Sequence, residues 1–146
     1  GPGWPEQNWL ARYFLTSAGR REFFAAGNDG WSLTAEGVDG TNNVPHLQGR
    51  VDVNLLIQGY RDLGILLQYR KVGRQPIQTY YSKGDLTRLH QWVTTAHGDR
   101  VPVGLFIPFE TAWKAIKEFM ERDAALPASI EWIAAKDLPA GTFPPP

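Results

Sequence analysis

The spacing of apolar and polar residues changes along the chain, and these changes divide it into predicted elements. Apolar residues within 6–26 share one helical face, which predicts one bent helix or two short helices with a break near Gly19. Period-two alternation then predicts strands at 31–34, 51–58, 64–71 and 77–82. Because short turns separate the last three strands, we expect an antiparallel meander.

A helical period returns in the C-terminal half. Asp85 is a suitable N-cap, and Gly98 a suitable end, for a helix that would carry an apolar stripe of Leu86, Leu89, Val93 and Ala96. A short buried or edge strand is predicted at 101–107, and a final one at 130–133. Between them, a strongly amphipathic helix begins after Pro108 and buries Phe109, Ala112, Trp113, Ile116, Phe119 and Met120. The predicted class is α+β, a mostly antiparallel sheet with helices packed mainly on one face.

Length and composition favour one globular domain. Of the 146 residues, 1–3 resemble a remnant of tag cleavage, and 4–146 are expected to form a single domain. The 15 basic and 15 acidic residues cancel, which argues against direct binding to nucleic acid. No apolar run is long enough to cross a bilayer, so we expect a cytoplasmic protein without membrane contact. The absence of cysteine excludes disulfides, thiolate nucleophiles and Cys-based zinc sites.

The search for catalytic or metal-binding patterns yields no positive signal. His90 and His97 are seven positions apart, whereas helical zinc ligands are typically four apart with a third ligand nearby. No serine lies in a nucleophile elbow, and the glycine-rich turns lack the Lys-Ser/Thr of a phosphate loop. The carboxylates of the turns are explained by turn chemistry. We therefore predict no catalytic residue, no metal and no cofactor.

The six tryptophans need separate interpretation. Trp113 and Trp132 lie in apolar patterns and are predicted to be core residues. Trp9, Trp31 and Trp92 are not assigned by their patterns and are candidates for a surface role. An alternative hypothesis is therefore a small-molecule-binding or enzymatic domain whose pocket is lined by Trp31, Trp92 and Tyr80.

The polar side of the predicted sheet is the main candidate for an interaction surface. If helices cover one face of the meander, the other face is expected to present Asp52, Asn54, Gln68, Arg70, Gln78 and Tyr80, with Asp29, Glu36 and Asp39 at its margin. An ordinary solvated face and a protein-docking surface both agree with this pattern. If the face is a docking surface, charge reversal at Asp52 or Asp39 is predicted to weaken binding without unfolding the protein.

An ordered series of motifs resembles a known family. The series comprises Trp31-Ser32-Leu33, Tyr80-Tyr81-Ser82, Leu105 to Glu110, Lys117-Glu118-Phe119, and Leu126-Pro127 followed by Ile130-Glu131-Trp132. It is similar to immunity protein family one of bacterial polymorphic toxin systems. The resemblance implies a non-enzymatic protein that binds a cognate toxin, often a nucleic-acid deaminase or nuclease, and occludes its active site. It carries over no catalytic residues.

Overall fold

The fold is an antiparallel sheet with three helices on one face. In the computed structural model, residues 3–25 and 30–145 are described. The helices are α1 (Gln7–Leu15), α2 (Ser17–Phe23) and α3 (Phe109–Glu121). The strands are β1 (Gly30–Val38), β2 (Val51–Tyr60), β3 (Gly64–Val72), β4 (Gln78–Ser82), β5 (Trp92–Thr94), β6 (Arg100–Pro102), β7 (Phe106–Ile107) and β8 (Trp132–Ala134). This confirms the predicted α+β class.

The main sheet has the strand order β1-β2-β3-β4-β8, and β7 pairs with the end of β3. Every pairing is antiparallel, so the predicted meander is confirmed. The alternation of apolar and polar residues in β2 matches its burial. The odd-numbered residues from Val51 to Gly59 are buried, and the even-numbered residues are half-buried. β1 and β8 form the two edges of this sheet, while β5 and β6 form a separate hairpin.

The principal core lies between the helices and one face of the sheet. The apolar stripe of α3 shares this core with Val53, Leu55 and Ile57 of β2, and all six predicted stripe residues are buried. Trp113 stacks on Phe14 of α1, with ring centroids 5.7 Å apart. The predicted core role of Trp113 is confirmed, since only 8% of the residue is exposed.

The predicted helix after Gly84 is wrong. Asp85 does cap a turn, accepting a hydrogen bond from the Thr87 N–H, but the turn is a single 3₁₀ turn, Leu86–Arg88. The chain then forms the β5–β6 hairpin, in which the Gly98 backbone adopts a positive φ of 89°. The run Trp92-Val93-Thr94-Thr95 is rich in β-formers, and pairing it with 100–102 buries Val101 on the sheet. Strand propensity and tertiary packing therefore outweigh the helical spacing.

The N-terminal segment forms two short helices, which was one of the two predicted alternatives. The break between them lies at Thr16 and not near Gly19. Thr16 has an extended backbone, and its side chain accepts the Gly19 N–H at 2.9 Å as the N-cap of α2. Gly19 lies inside α2, where an added Cβ would overlap the backbone carbonyl of Arg12. The glycine therefore permits close approach of the two helices.

Gly59 makes the same kind of close approach in the middle of the core. A Cβ at this position would lie 2.5 Å from Cε1 of Phe23 and 2.9 Å from Cε1 of Phe24. We expect Gly59→Ala to reduce the free energy of unfolding by about 1–3 kcal/mol, because overpacking outweighs the entropic gain of alanine. Gly30→Ala is the matched control, since its nearest neighbour would be at 3.5 Å and its stability should be unchanged or higher. Urea unfolding measures both, and equal stabilities would contradict the packing argument.

Glu118 fixes the turn that leads from α3 to β8. Its carboxylate accepts the N–H groups of Ala128 at 2.6 Å and Ser129 at 3.0 Å. The hydrogen bond from Ala128 is the main reason that the pKa of Glu118 lies below its ordinary value, with the Ser129 contacts adding to it against the opposing effect of burial. The lowered pKa means that the ionised form stabilises the fold above the ordinary pKa of glutamate, and that this contribution disappears as pH falls through the lowered value.

We therefore expect Glu118→Gln to cost about 1 kcal/mol at neutral pH, and the cost to shrink toward zero in acid. The measurement is urea unfolding of both proteins from pH 7 down to pH 2.5. A difference in stability that stays constant across this range would show that the charge of Glu118 is irrelevant.

Candidate functional site

The sheet face opposite the three helices is divided into a covered half and an open half. In the covered half, Leu66, Tyr81 and Ile133 pack with Leu89 and Phe106 of the segment that connects β4 to α3. This segment forms a second, smaller core. The part of the same face formed by β1, β2, the distal end of β3 and Thr79 of β4 stays accessible.

We call this accessible part the open half-face. Its side chains alternate with core residues along the strands, and the strand register aligns them. They are Ser32, Thr34 and Glu36 of β1, Asp52, Asn54 and Leu56 of β2, Gln68 and Arg70 of β3, and Thr79 of β4. The predicted surface residues Glu36, Asp52, Asn54, Gln68 and Arg70 are thus brought together on one surface.

An ion-pair network occupies one end of the open half-face. The Arg50 guanidinium contacts Asp52 through Nε at 3.0 Å and Glu36 through Nη2 at 2.5 Å. Asp52 also accepts the backbone N–H of Gly37 at 2.9 Å. His46 lies beside the network, its Nδ1 atom 3.7 Å from Asp52 Oδ2. The network connects β2 to the irregular end of β1.

The electrostatic state of Asp52 follows from these contacts. Its partial burial by itself raises the pKa, but the hydrogen bonds from Arg50 and Gly37 outweigh burial and leave the pKa below its ordinary value. Asp52 therefore stays ionised at any pH near neutrality. Its carboxylate is turned toward internal partners, so a charge reversal at Asp52 would disturb the fold as well as any docking surface.

The middle of the open half-face is polar with one apolar position. The Asn54 side-chain amide donates to the Thr34 hydroxyl at 2.9 Å, and Gln68 donates to the Tyr81 hydroxyl at 3.3 Å. Leu56 is half-buried between β1 and β3, and Arg70 is exposed. The middle of the open half-face thus combines neutral hydrogen-bonding groups with one apolar side chain and one cation.

Tyr80 and Gln78 were predicted on the open half-face but lie on the helix side of the sheet. Tyr80 pairs with Tyr69 and packs against the helix-side core, while Gln78 pairs with Lys71 on that same side. The neighbouring Thr79 and Tyr81 face the opposite way. β4 contains two adjacent tyrosines, so its alternation does not define a polar side, and the register to β3 decides the orientation.

Asp39 also lies away from the open half-face. It forms an ion pair with Lys71 at 2.7 Å, and Lys71 projects to the helix side because it pairs with the buried Val53. The pKa of Tyr69, a helix-side residue, is raised to about 12, mainly by burial and further by the charge of Asp39. Asp29, the remaining predicted margin residue, lies outside the described residues.

The aromatic residues of the alternative pocket lie apart. Trp31 stacks on Phe23 with centroids 5.8 Å apart, and Tyr80 packs on Tyr69, both on the helix side. Trp92 lies in the hairpin of the other face, where its indole N–H donates to the Thr142 carbonyl at 2.9 Å. Trp132 is half-buried and packs against the helix-side core, and Trp9 is 46% exposed. The predicted common pocket is therefore not formed by these three rings.

Arg50 is the charged residue of this surface that the sequence did not lead us to predict, and the uncharged Ser32, Thr34, Leu56 and Thr79 were not predicted there either. Arg50 has only 20% of its side chain exposed and contacts both carboxylates of the open half-face. The signal was present, because the alternation of β2 extended by one step puts residue 50 on the same side as Asp52 and Asn54. Its position just before the predicted strand concealed this.

The structure also bears on metal binding and on membrane crossing. Within residues 3–25 and 30–145, no group of three or more His, Cys, Asp or Glu side chains is arranged to hold a metal ion. Of the helices in the described part of the chain, none combines the length and apolar character that crossing a bilayer requires.

Comparison with known proteins assigns the chain to a family. None of the curated proteins and none of the solved structures matches it. The family model for immunity protein Imm1 matches residues 14–134, which extend from α1 to the end of β8 and include the whole open half-face. The resemblance read from the motif series is confirmed, and the chain belongs to the Imm1 family of immunity proteins.

Proposed function

We propose that this protein neutralises a cognate bacterial toxin by binding it through the open half-face and covering the toxin's active site. Membership of the Imm1 family supports a toxin as the partner. The observation that carries the choice of surface is the alignment of Glu36, Asp52, Asn54, Gln68 and Arg70 on one accessible side of the sheet. Neutralisation then requires no catalysis, metal or cofactor from this chain, and it takes place in the cytoplasm.

The rigidity of the surface supports a docking role. The open half-face spans the β1–β2 and β2–β3 pairings of the sheet, and its carboxylates, Glu36 and Asp52, are held by Arg50. Side chains already fixed in the free protein lose little conformational entropy on binding. A preorganised polar surface therefore permits tight binding through hydrogen bonds and ion pairs.

The mixed charge of the surface bears on the toxin class. A direct nucleic-acid ligand would be expected to meet a basic surface, whereas here two carboxylates lie at one end of the face and Arg70 lies in its middle, opposite Asn54. A toxin that acts on nucleic acid has a basic substrate groove, which the exposed Glu36 carboxylate can oppose while Arg70 meets an acidic catalytic group. Nucleic-acid deaminases and nucleases are therefore the toxin classes to test first.

The test uses the product of the gene adjacent to the one for this chain, produced as an active-site variant that is safe to express. We expect the two proteins to co-purify and to bind with a Kd in the nanomolar range or below by isothermal titration calorimetry. Co-expression of this chain should also restore growth to cells that produce the active toxin. Absence of both binding and rescue would overturn the proposal.

A further inference from the structure

The outer edge of β1 has the features of a site for strand addition. Among the described residues, β1 pairs with β2 on one side and with no strand on the other, and its register is regular from Gly30 to Ala35. This stretch, Gly-Trp-Ser-Leu-Thr-Ala, contains no charged residue and no proline. Edge strands are commonly protected by such residues or by bulges, and here the bulge and Glu36 come only after Ala35. Every second residue in 30–35 therefore offers its backbone N–H and C=O to an incoming strand.

A groove runs beside this edge. It has a volume of about 500 Å³ and is lined by residues 32–36 and 38 of β1 on one side and by residues 3–5 and Asp123 on the other. The apolar part of the lining includes Trp4, Pro5 and Leu33, and the charged side chains in the lining, Glu36 and Asp123, are both acidic. The groove thus provides apolar contact area next to unpaired backbone groups, and Asp123 adds a negative charge beyond that of Glu36, which pairs with Arg50.

We propose that residues 30–35 accept an extended segment of the toxin as an additional β-strand, and that this segment carries apolar residues and at least one Lys or Arg. Main-chain hydrogen bonds would supply the pairing, and the groove would select the side chains. Ser32 and Thr34 belong to both this edge and the open half-face, so an added strand extends the surface already described. The inference rests on the proposed function, since it names how the toxin engages that surface.

A second copy of this chain is a poorer occupant of the same edge. Pairing of two β1 edges would bring together two grooves that each contain Glu36 and Asp123 with no basic residue in their lining. Residues 3–5 of both copies would also have to fit beside the paired β1 strands. A single cation-bearing strand avoids both the charge repulsion and this crowding.

The experiment is residue-resolved amide hydrogen exchange, measured by NMR on the full chain labelled with ¹⁵N, with and without the inactive toxin from the adjacent gene. Strand addition predicts that exchange slows by at least about tenfold at alternate residues of 30–35, because only every second amide points away from β2. Simple covering of the surface by the toxin would slow exchange without this alternation.

Charge variants provide an independent measurement. Asp123 has a positive φ of 50°, a conformation that Asn tolerates, so Asp123→Asn removes the charge with little effect on the backbone. We expect it to raise the Kd for the toxin by about two- to fivefold. Asp137→Asn, at an exposed acid near the opposite edge strand β8, is the matched control and should leave the Kd unchanged.

Each outcome decides the inference. Alternating protection together with the Asp123 effect supports it. Toxin binding without alternating protection at 30–35 overturns it and leaves the proposed function intact, whereas absence of toxin binding overturns both. Protection that appears in this chain alone as its concentration rises, with a dimer in sedimentation, assigns the edge to a second copy and also overturns the inference.

Discussion

Trp113→Ala is expected to lower the free energy of unfolding by about 3–5 kcal/mol, the largest stability loss that we predict for one substitution. Trp113 is 8% exposed, lies at the centre of the α3 stripe and stacks on Phe14 with an interplanar angle of 20°. Its removal leaves a cavity between α1, α3 and the sheet, and backbone elements that pack on both sides limit the relaxation that could fill it. Since a domain of this size is only marginally stable, much of its stability would be lost.

The measurement is urea unfolding followed by far-ultraviolet circular dichroism, which does not depend on the tryptophan removed. Trp9→Ala is the matched control, because the same chemical change is made at a residue that is 46% exposed. We expect the control to lose no more than about half as much stability, in proportion to the smaller area removed from water. A loss below about 1 kcal/mol for Trp113→Ala would contradict the assignment of this ring to the core.

Arg70→Glu is expected to weaken toxin binding by at least about tenfold, which corresponds to about 1.4 kcal/mol. Arg70 is exposed, pairs with Asn54 and Thr79 across the strands and projects from the open half-face. Reversing its charge places a carboxylate against toxin groups that had met a cation. Asp52 is less suitable for this test, because its carboxylate holds Arg50 and the Gly37 N–H.

Arg74→Glu makes the same charge change at an exposed residue near Asp39 and Gln78, away from the open half-face. Calorimetric titration of both variants with the inactive toxin should show a weaker Kd for Arg70→Glu alone, while thermal unfolding should be similar for both. If the two variants bind with equal affinity, the toxin does not dock on the open half-face.

The fold could be predicted where one face of an element is buried and the other is wet. β2 and α3 satisfy this condition, and both were predicted within two residues of their bounds. The segment after Gly84 does not satisfy this condition. Its residues Leu86, Leu89 and Val93 pack in the second core, whose other side is provided by the sheet. Their spacing is compatible with a helix in isolation, and the contact with Leu66 and Phe106 is not visible in the sequence.

The candidate surface was predicted in part for a related reason. Asp52 and Asn54 were placed correctly because β2 alternates cleanly, and Gln68 and Arg70 followed from β3. Tyr80 was misplaced because the adjacent Tyr81 has similar chemistry, and one step of register exchanges the two faces. Asp39 was misplaced because the direction of a loop after a β-bulge is not encoded in a period.

The uneven distribution of the indole rings has a spectroscopic consequence. Trp4, Trp9, Trp31, Trp113 and Trp132 all pack against the helix-side core, and Trp92 lies beneath the C-terminal segment at Thr142. The intrinsic fluorescence of the protein therefore reports on the integrity of the core, and a partner that contacts only the open half-face leaves the emission spectrum of this chain nearly unchanged. A strand added at the β1 edge would contact Trp4 and shift the emission, so a fluorometer can distinguish the two modes of engagement.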